Sequence, residues 1–148
     1  MKPVTSRIEI ARPPEDVFAF ATDPASFPRW QDDVLTAHLE GEGPAAVGSS
    51  FVTVRRMGPS ARPMRQQITV NEPPRRWAAR GLDGPVRADA ELVVEPLGGG
   101  TGSRVTVTMT FRARGAGRLL VDLVVRPLAA RRAPESYRHL KELLERGA

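Results

Sequence analysis

Few side chains in this sequence are equipped for chemistry, and they are scattered. Proton transfer at a carbonyl compound needs an acceptor beside the α-carbon and a donor at the oxygen. Tyr137, Gln66 and Arg55 are the residues placed to offer polar groups on an otherwise apolar face. Tyr137 lies on the apolar stripe of a C-terminal helix. It is either a core tyrosine whose hydroxyl reaches the rim or a polar handle for a ligand. Gln66 shares a strand face with Met64, Ile68 and Val70. Arg55 belongs to a strand with two possible registers. With Phe51, Thr53, Arg55 and Met57 inward, the guanidinium enters the interior and must hold an anion or an internal partner. With Val52 and Val54 inward, it stays in water. Arg131 reads as a solvated arginine, or as one end of a cavity. Asp89 and Glu91 alternate with an apolar face and therefore point to water, and His139, two residues from Tyr137, faces another way on the helix.

Other chemistries lack their residues. The chain has no cysteine, which excludes disulfides and thiolate nucleophiles. No Gly-x-Ser-x-Gly elbow occurs. His38 and His139 are far apart and no ligand-spaced cluster surrounds either, so neither a metal nor a cofactor is expected. Gly98-Gly99-Gly100 lacks the following Gly-Lys-Ser/Thr of a phosphate loop and reads as a turn. The net charge of +5 comes from twenty arginines and two lysines against seventeen acids. The arginines mingle with Glu91, Glu95, Glu142 and Glu145 and form no basic stripe with interleaved aromatics, so no nucleic acid partner is expected. Met1 to Arg7 lacks the apolar core of a signal peptide. The most apolar run, Leu119 to Ala130, is too short to span a bilayer and carries Asp122 and Arg126, which argues against stable membrane insertion. A cytoplasmic protein with one domain, 1–148, is expected, as monomer or homodimer.

The elements that must position these residues follow from period. Ser6 to Ala11 alternates as a half-buried strand. Pro13-Pro14-Glu15-Asp16 opens a helix with Val17, Phe20 and Ala21 buried and Phe18 at the margin. Asp23-Pro24 caps a second short helix, Ala25 to Phe27, stopped by Pro28. Strands follow at Val34 to Leu39, Ser49 to Met57, Met64 to Val70, Arg76 to Gly81, Val86 to Val94 and Arg104 to Arg112, separated by turns such as Gly58-Pro59 and Asp83-Gly84-Pro85. From Gly115 to Glu145 the period becomes helical, with one stripe at Leu119, Leu123, Ala130, Ala133, Tyr137, Leu140 and Leu144 and a second at Leu120, Val124 and Leu128. Pro127 and Pro134 kink or interrupt this helix, and Arg131-Arg132-Ala133 is a possible break. The whole reads as α+β: a curved antiparallel sheet of about seven strands wrapped round a long C-terminal helix. Small residues on its inner face, Ala79, Gly81, Ala88 and Ala90, leave room for a cavity.

The opening Ile-Glu-Ile-Ala-Arg-Pro-Pro-Glu-Asp-Val-Phe-Ala-Phe-Ala-Thr-Asp-Pro, then Phe27-Pro28-Arg29-Trp30 and Val47-Gly48, in this order of elements, resembles the START-like helix-grip (SRPBCC) superfamily. Within it the chain looks like bacterial polyketide cyclase/dehydrase-type and lipid-transport proteins. The resemblance implies an apolar cavity between sheet and C-terminal helix that holds a hydrophobic small molecule. Candidate lining residues are the aromatics Trp30, Phe51, Trp77, Phe111 and Tyr137; Gln66, Ile68, Ala79, Ala88, Ala90 and Leu92 on the middle strands; Val107 and Met109 on the last strand; and Leu120, Val124 and Leu128 on the helix. Three functions compete: a ligand-binding protein, a polyketide cyclase or dehydrase in the same cavity, and a protein-interaction module. The last needs a large exposed apolar patch, and none stands out in the sequence.

Overall fold

A computed structural model describes residues 3–57 and 59–147. Seven strands form one antiparallel sheet that curls as a half-barrel around the C-terminal helix. They are β1 (Val4–Ile10), β2 (Val34–Leu39), β3 (Ser50–Met57), β4 (Ser60–Glu72), β5 (Arg76–Gly81), β6 (Val86–Leu97) and β7 (Gly102–Ala113). Their order in the sheet is β1-β7-β6-β5-β4-β3-β2, so β1 and β2 are its two edges. β4, β6 and β7 run longer than the apolar alternation alone predicts, because the ladder continues past it toward the hairpins. The Gly58 of the expected Gly58-Pro59 turn lies outside the described residues.

Between β1 and β2 lie α1 (Pro14–Ala21), a single 3-10 turn (Pro24–Ser26) and α2 (Phe27–Trp30). The Asp23 carboxylate accepts from the Ala25 amide, as its capping position predicts. Two details differ from expectation. Phe18 is buried and Phe20 only partly so, its ring carrying the Arg29 guanidinium at 5.2 Å. Pro28 does not stop a helix but sits in the first turn of α2, where a missing amide hydrogen costs nothing.

The C-terminal helix comprises α3 (Ala116–Leu120), one π turn (Val121–Val125) and α4 (Arg126–Glu145). Gly115, at φ 57 and ψ −130, turns the chain into it, a conformation that resists a side chain. Pro127 falls in the first turn of α4, directly after the π turn, and α4 continues through Pro134, so Arg131-Arg132-Ala133 is helical and no break occurs. The second half of the expected stripe does face the sheet: Tyr137, Leu140 and Leu144 are buried and Ala133 packs against them. The first half requires correction. Val121 is buried, with Val125 and Ala129 packed beside it, while Leu119 and Leu123 stand 63% and 68% exposed and Leu120, Val124, Leu128 and Ala130 are exposed too. This half is apolar nearly all round, so periodicity alone does not choose its inner side. The narrow valine and alanine row goes inward because it fits close against Ala88 and Phe111.

The interior holds a large cluster under α1, α2 and α4, and a smaller one, centred on Ala88, Phe111 and Val121, under α3 and the π turn. The end of α4 is tied to the start of the chain. The Lys141 ammonium donates to the Glu9 carbonyl and to Glu145, and the Ala11 amide donates to Glu145. Lys141, and after it the Ala11 amide, holds the Glu145 carboxyl below its ordinary range.

Gly81 shows how tightly β5 and β6 meet. A Cβ at this residue would lie 2.9 Å from the Ala88 backbone nitrogen. The space next to it is closed by Asp89, which accepts from the Gly81 amide, and by Arg112, which donates to both Asp89 oxygens and to the Gly81 carbonyl. Gly81→Ala is therefore expected to destabilise the protein by about 1–3 kcal/mol through overpacking. Denaturant unfolding measures this directly, and an unchanged midpoint would show that the two strands can separate freely.

Candidate functional site

Five aromatic residues come together on the concave face, drawn from α2, the sheet and α4. Phe27 and Trp30 come from α2, Phe51 and Trp77 from the alternations of β3 and β5, and Tyr137 from α4. Phe27 meets the rings of Trp30, Phe51 and Trp77 edge-on at 6.1, 5.7 and 6.3 Å. Phe51 lies 6.0 Å from Trp77, and Trp30 lies 5.8 Å from Tyr137. The three edge-to-face pairs of Phe27 add about 0.5–1.5 kcal/mol each beyond the area they bury.

Among the described residues, two buried polar atoms in this region have no hydrogen-bond partner: the Trp30 indole nitrogen Nε1 and the Thr53 hydroxyl Oγ1. Thr53 is 0% exposed and follows Phe51 on the inward face of β3. An orphaned buried polar group costs about 1–3 kcal/mol, so native interiors rarely keep one without a reason.

The register of β3 puts Phe51 and Thr53 inward and brings Arg55, half-buried, to the rim of the same face. There it donates to Asp33 at 3.1 Å, the internal partner that this register requires. Gln66 is buried and its amide donates to the Ala88 carbonyl at 3.0 Å. Gln66 pairs with Phe51 across the ladder, four residues along β3 from Arg55, which is about 13 Å. The two polar candidates therefore sit at different depths and are each held by protein.

Burial pushes the Tyr137 phenol well above its ordinary value; nearby Arg55 pulls it partly back, and Asp33 pushes it up. At neutral pH the residue is a neutral phenol that can donate or accept a hydrogen bond. Tyr137 is the one tyrosine of the chain, so its titration is directly visible. Since folding raises this pKa, its contribution to stability is intact below the unfolded value of about 10 and falls as the pH rises above it. Ultraviolet titration is expected to show tyrosinate appearing only together with alkaline unfolding. A phenol that ionised at its ordinary pKa in the folded protein would remove Tyr137 from the interior.

Of the other candidate lining residues, Ile68, Ala79, Ala88, Leu92, Val107 and Phe111 are buried on the concave face, and Ala90 and Met109 are partly buried there. Leu120, Val124 and Leu128 are corrected: they project from the outer side of the helix. Arg131 is exposed, as its surface reading has it. Open hollows lie elsewhere on the surface. One crosses the outer sheet face at Arg80, Asp89, Glu91, Thr108 and Thr110, and another lies by Glu72, Arg76 and Glu95. Neither is beneath the helix.

Folding also assembles a group that sequence spacing does not show. Asp32, Glu135 and His139 each bring one potential ligand atom to within 4.8 Å of the others. The His139 ring nitrogen Nδ1 and Asp32 Oδ1 are 2.9 Å apart, a hydrogen bond that ties α4 to the segment after α2. The trio is largely exposed, and an ion would have to displace that bond in open water.

The family profile described as "Polyketide cyclase / dehydrase and lipid transport" matches residues 1–145. The chain belongs to this family. Its START-like fold is shared with solved structures of low identity. TTHA0849 from Thermus thermophilus aligns over 99% of this chain and 100% of its own at TM-score 0.79 and 20% identity. A START superfamily protein from Mycobacterium smegmatis aligns over 97% and 94% at TM-score 0.70 and 14% identity. The di-domain ARO/CYC BexL from the BE-7585A biosynthetic pathway aligns over 98% of this chain and 47% of its own at TM-score 0.74 and 16% identity. No curated protein matches the chain by sequence.

Proposed function

We propose that this member of the family binds a hydrophobic or aromatic small molecule, lipid- or polyketide-like, on the concave face beneath the C-terminal helix. The observation that carries the reading is the pair of orphaned polar atoms, Trp30 Nε1 and Thr53 Oγ1, within an aromatic interior. A planar molecule carrying a carbonyl oxygen would accept from Trp30 and bury its rings among Phe27, Phe51 and Trp77. These side chains are buried and in mutual contact, so a ligand enters by displacing them, and the helix is the element to give way. Its first half rests on the smaller cluster around Phe111 and Val121.

A cyclase or dehydrase reading draws on Tyr137 as a neutral donor to a carbonyl. It lacks the other half of the pair: Asp33, the carboxylate that bears on Tyr137, is held by Arg55. Binding without turnover therefore fits these residues better.

The test uses the two tryptophans, which are the only two in the chain and both belong to the aromatic cluster. Titration with aromatic polyketides, flavonoids and fatty acids is expected to quench their fluorescence saturably and to raise the melting temperature. No saturable change across that panel, with no adduct in native mass spectrometry, would defeat the proposal.

A further inference from the structure

The first half of the C-terminal helix keeps its leucines in water. Leu119, Leu120, Leu123, Val124 and Leu128 are exposed over about three turns, roughly 14 Å of helix. A run of this kind marks an interaction surface. We propose that this face docks on the surface of an anionic lipid bilayer, with the helix lying in the headgroup plane.

Charge selects that partner. Residues 114–134 contain five arginines against one aspartate, Asp122. Arg114 and Arg118 precede the leucines, Arg131 and Arg132 follow them, and all four are exposed. Among the described residues none of these four forms an ion pair, whereas Arg65, Arg76 and Arg112 on the sheet each hold a carboxylate. Apolar side chains bracketed by arginines are the pattern of a helix that lies at a membrane interface, its apolar face sunk about 5–10 Å and its cations among lipid phosphates. A second copy fits less well. Pairing strip on strip would bring two such arginine-rich segments together with a single aspartate from each. Docking also differs from crossing: among the described residues no helix is long and apolar enough to span a membrane.

The inference is independent of the small-molecule reading, since it uses the outer side of the helix and needs no ligand. The full chain is mixed with large vesicles of phosphatidylcholine, alone or blended with phosphatidylglycerol, and the bound fraction is read by sedimentation. Binding is expected to the blended vesicles only and to weaken as salt is raised. The double substitution Leu119→Ser with Leu123→Ser is expected to weaken it on the order of a hundredfold with little change in melting temperature, because both side chains are exposed. Arg131→Gln with Arg132→Gln is expected to weaken it about tenfold or more. Should the serine variant misfold, hydrogen exchange on the unmodified chain replaces it, with slowed exchange at 116–128 expected on adding the blended vesicles. The proposal is overturned by no binding to the blended vesicles, by equal binding to both kinds, or by binding that survives the serine substitutions. It is equally overturned by a dimer that those substitutions dissociate.

Discussion

Phe51→Ala is expected to lower the unfolding free energy by about 3–5 kcal/mol, the cost of deleting a ring from a well-packed core. Phe51 is 1% exposed and touches Phe27 and Trp77, so no solvent can enter to relieve the void. The void would be faced by the rings of Phe27 and Trp77, which makes it a receptor for small apolar guests. Indole or benzene is therefore expected to restore part of the lost stability in proportion to the logarithm of its concentration. The same compounds should do little to the parent protein. Thermal melts with and without guest check both halves. A loss under about 1 kcal/mol would mean that the aromatic cluster packs loosely.

Thr53→Val has the opposite expected sign. The Thr53 hydroxyl is fully buried and unpartnered, so replacing it with a methyl group removes a desolvation cost and breaks no hydrogen bond. A gain of about 1–2 kcal/mol is expected, which for a chain of this size raises the melting temperature by roughly 2–8 °C. Threonine and valine are seldom interchangeable in a core, because the hydroxyl is normally satisfied. If Thr53 is kept to meet a ligand's polar atom, the same substitution weakens binding while it strengthens the fold. Stability and affinity moving in opposite directions is the result expected. A Thr53→Val variant less stable than the parent would show that the hydroxyl has a partner after all, and would remove one of the two orphaned atoms on which the binding proposal rests.

The exposed leucines change the balance among the functions that compete in the sequence. An interaction surface ranks last when the chain is read as a string, because the leucines can be assigned to the core. Folding turns Val121, Val125 and Ala129 inward and leaves the larger residues outside. The apolar patch is thus a product of the choice between two stripes.

The sheet was legible in advance for a local reason. A strand's two faces follow from its pleat, so alternation at Val86 to Val94, or at Arg104 to Arg112, already separates inner from outer residues. Proline, glycine and aspartate mark the turns by their own backbone preferences. Period, punctuation and the opening motif therefore determined the element order, the α+β class, the inward side of most strands and the family. What only the tertiary structure decided depends on distant residues meeting. The register of β3 became certain when Asp33 reached Arg55, and Asp32 met His139 across 107 positions of sequence. The facing of α3 depended on how much room Ala88 and Phe111 leave under it. Whether Trp30 and Thr53 have partners is a property of the assembled interior alone, since a buried polar atom is satisfied or orphaned only by what the rest of the chain brings to it.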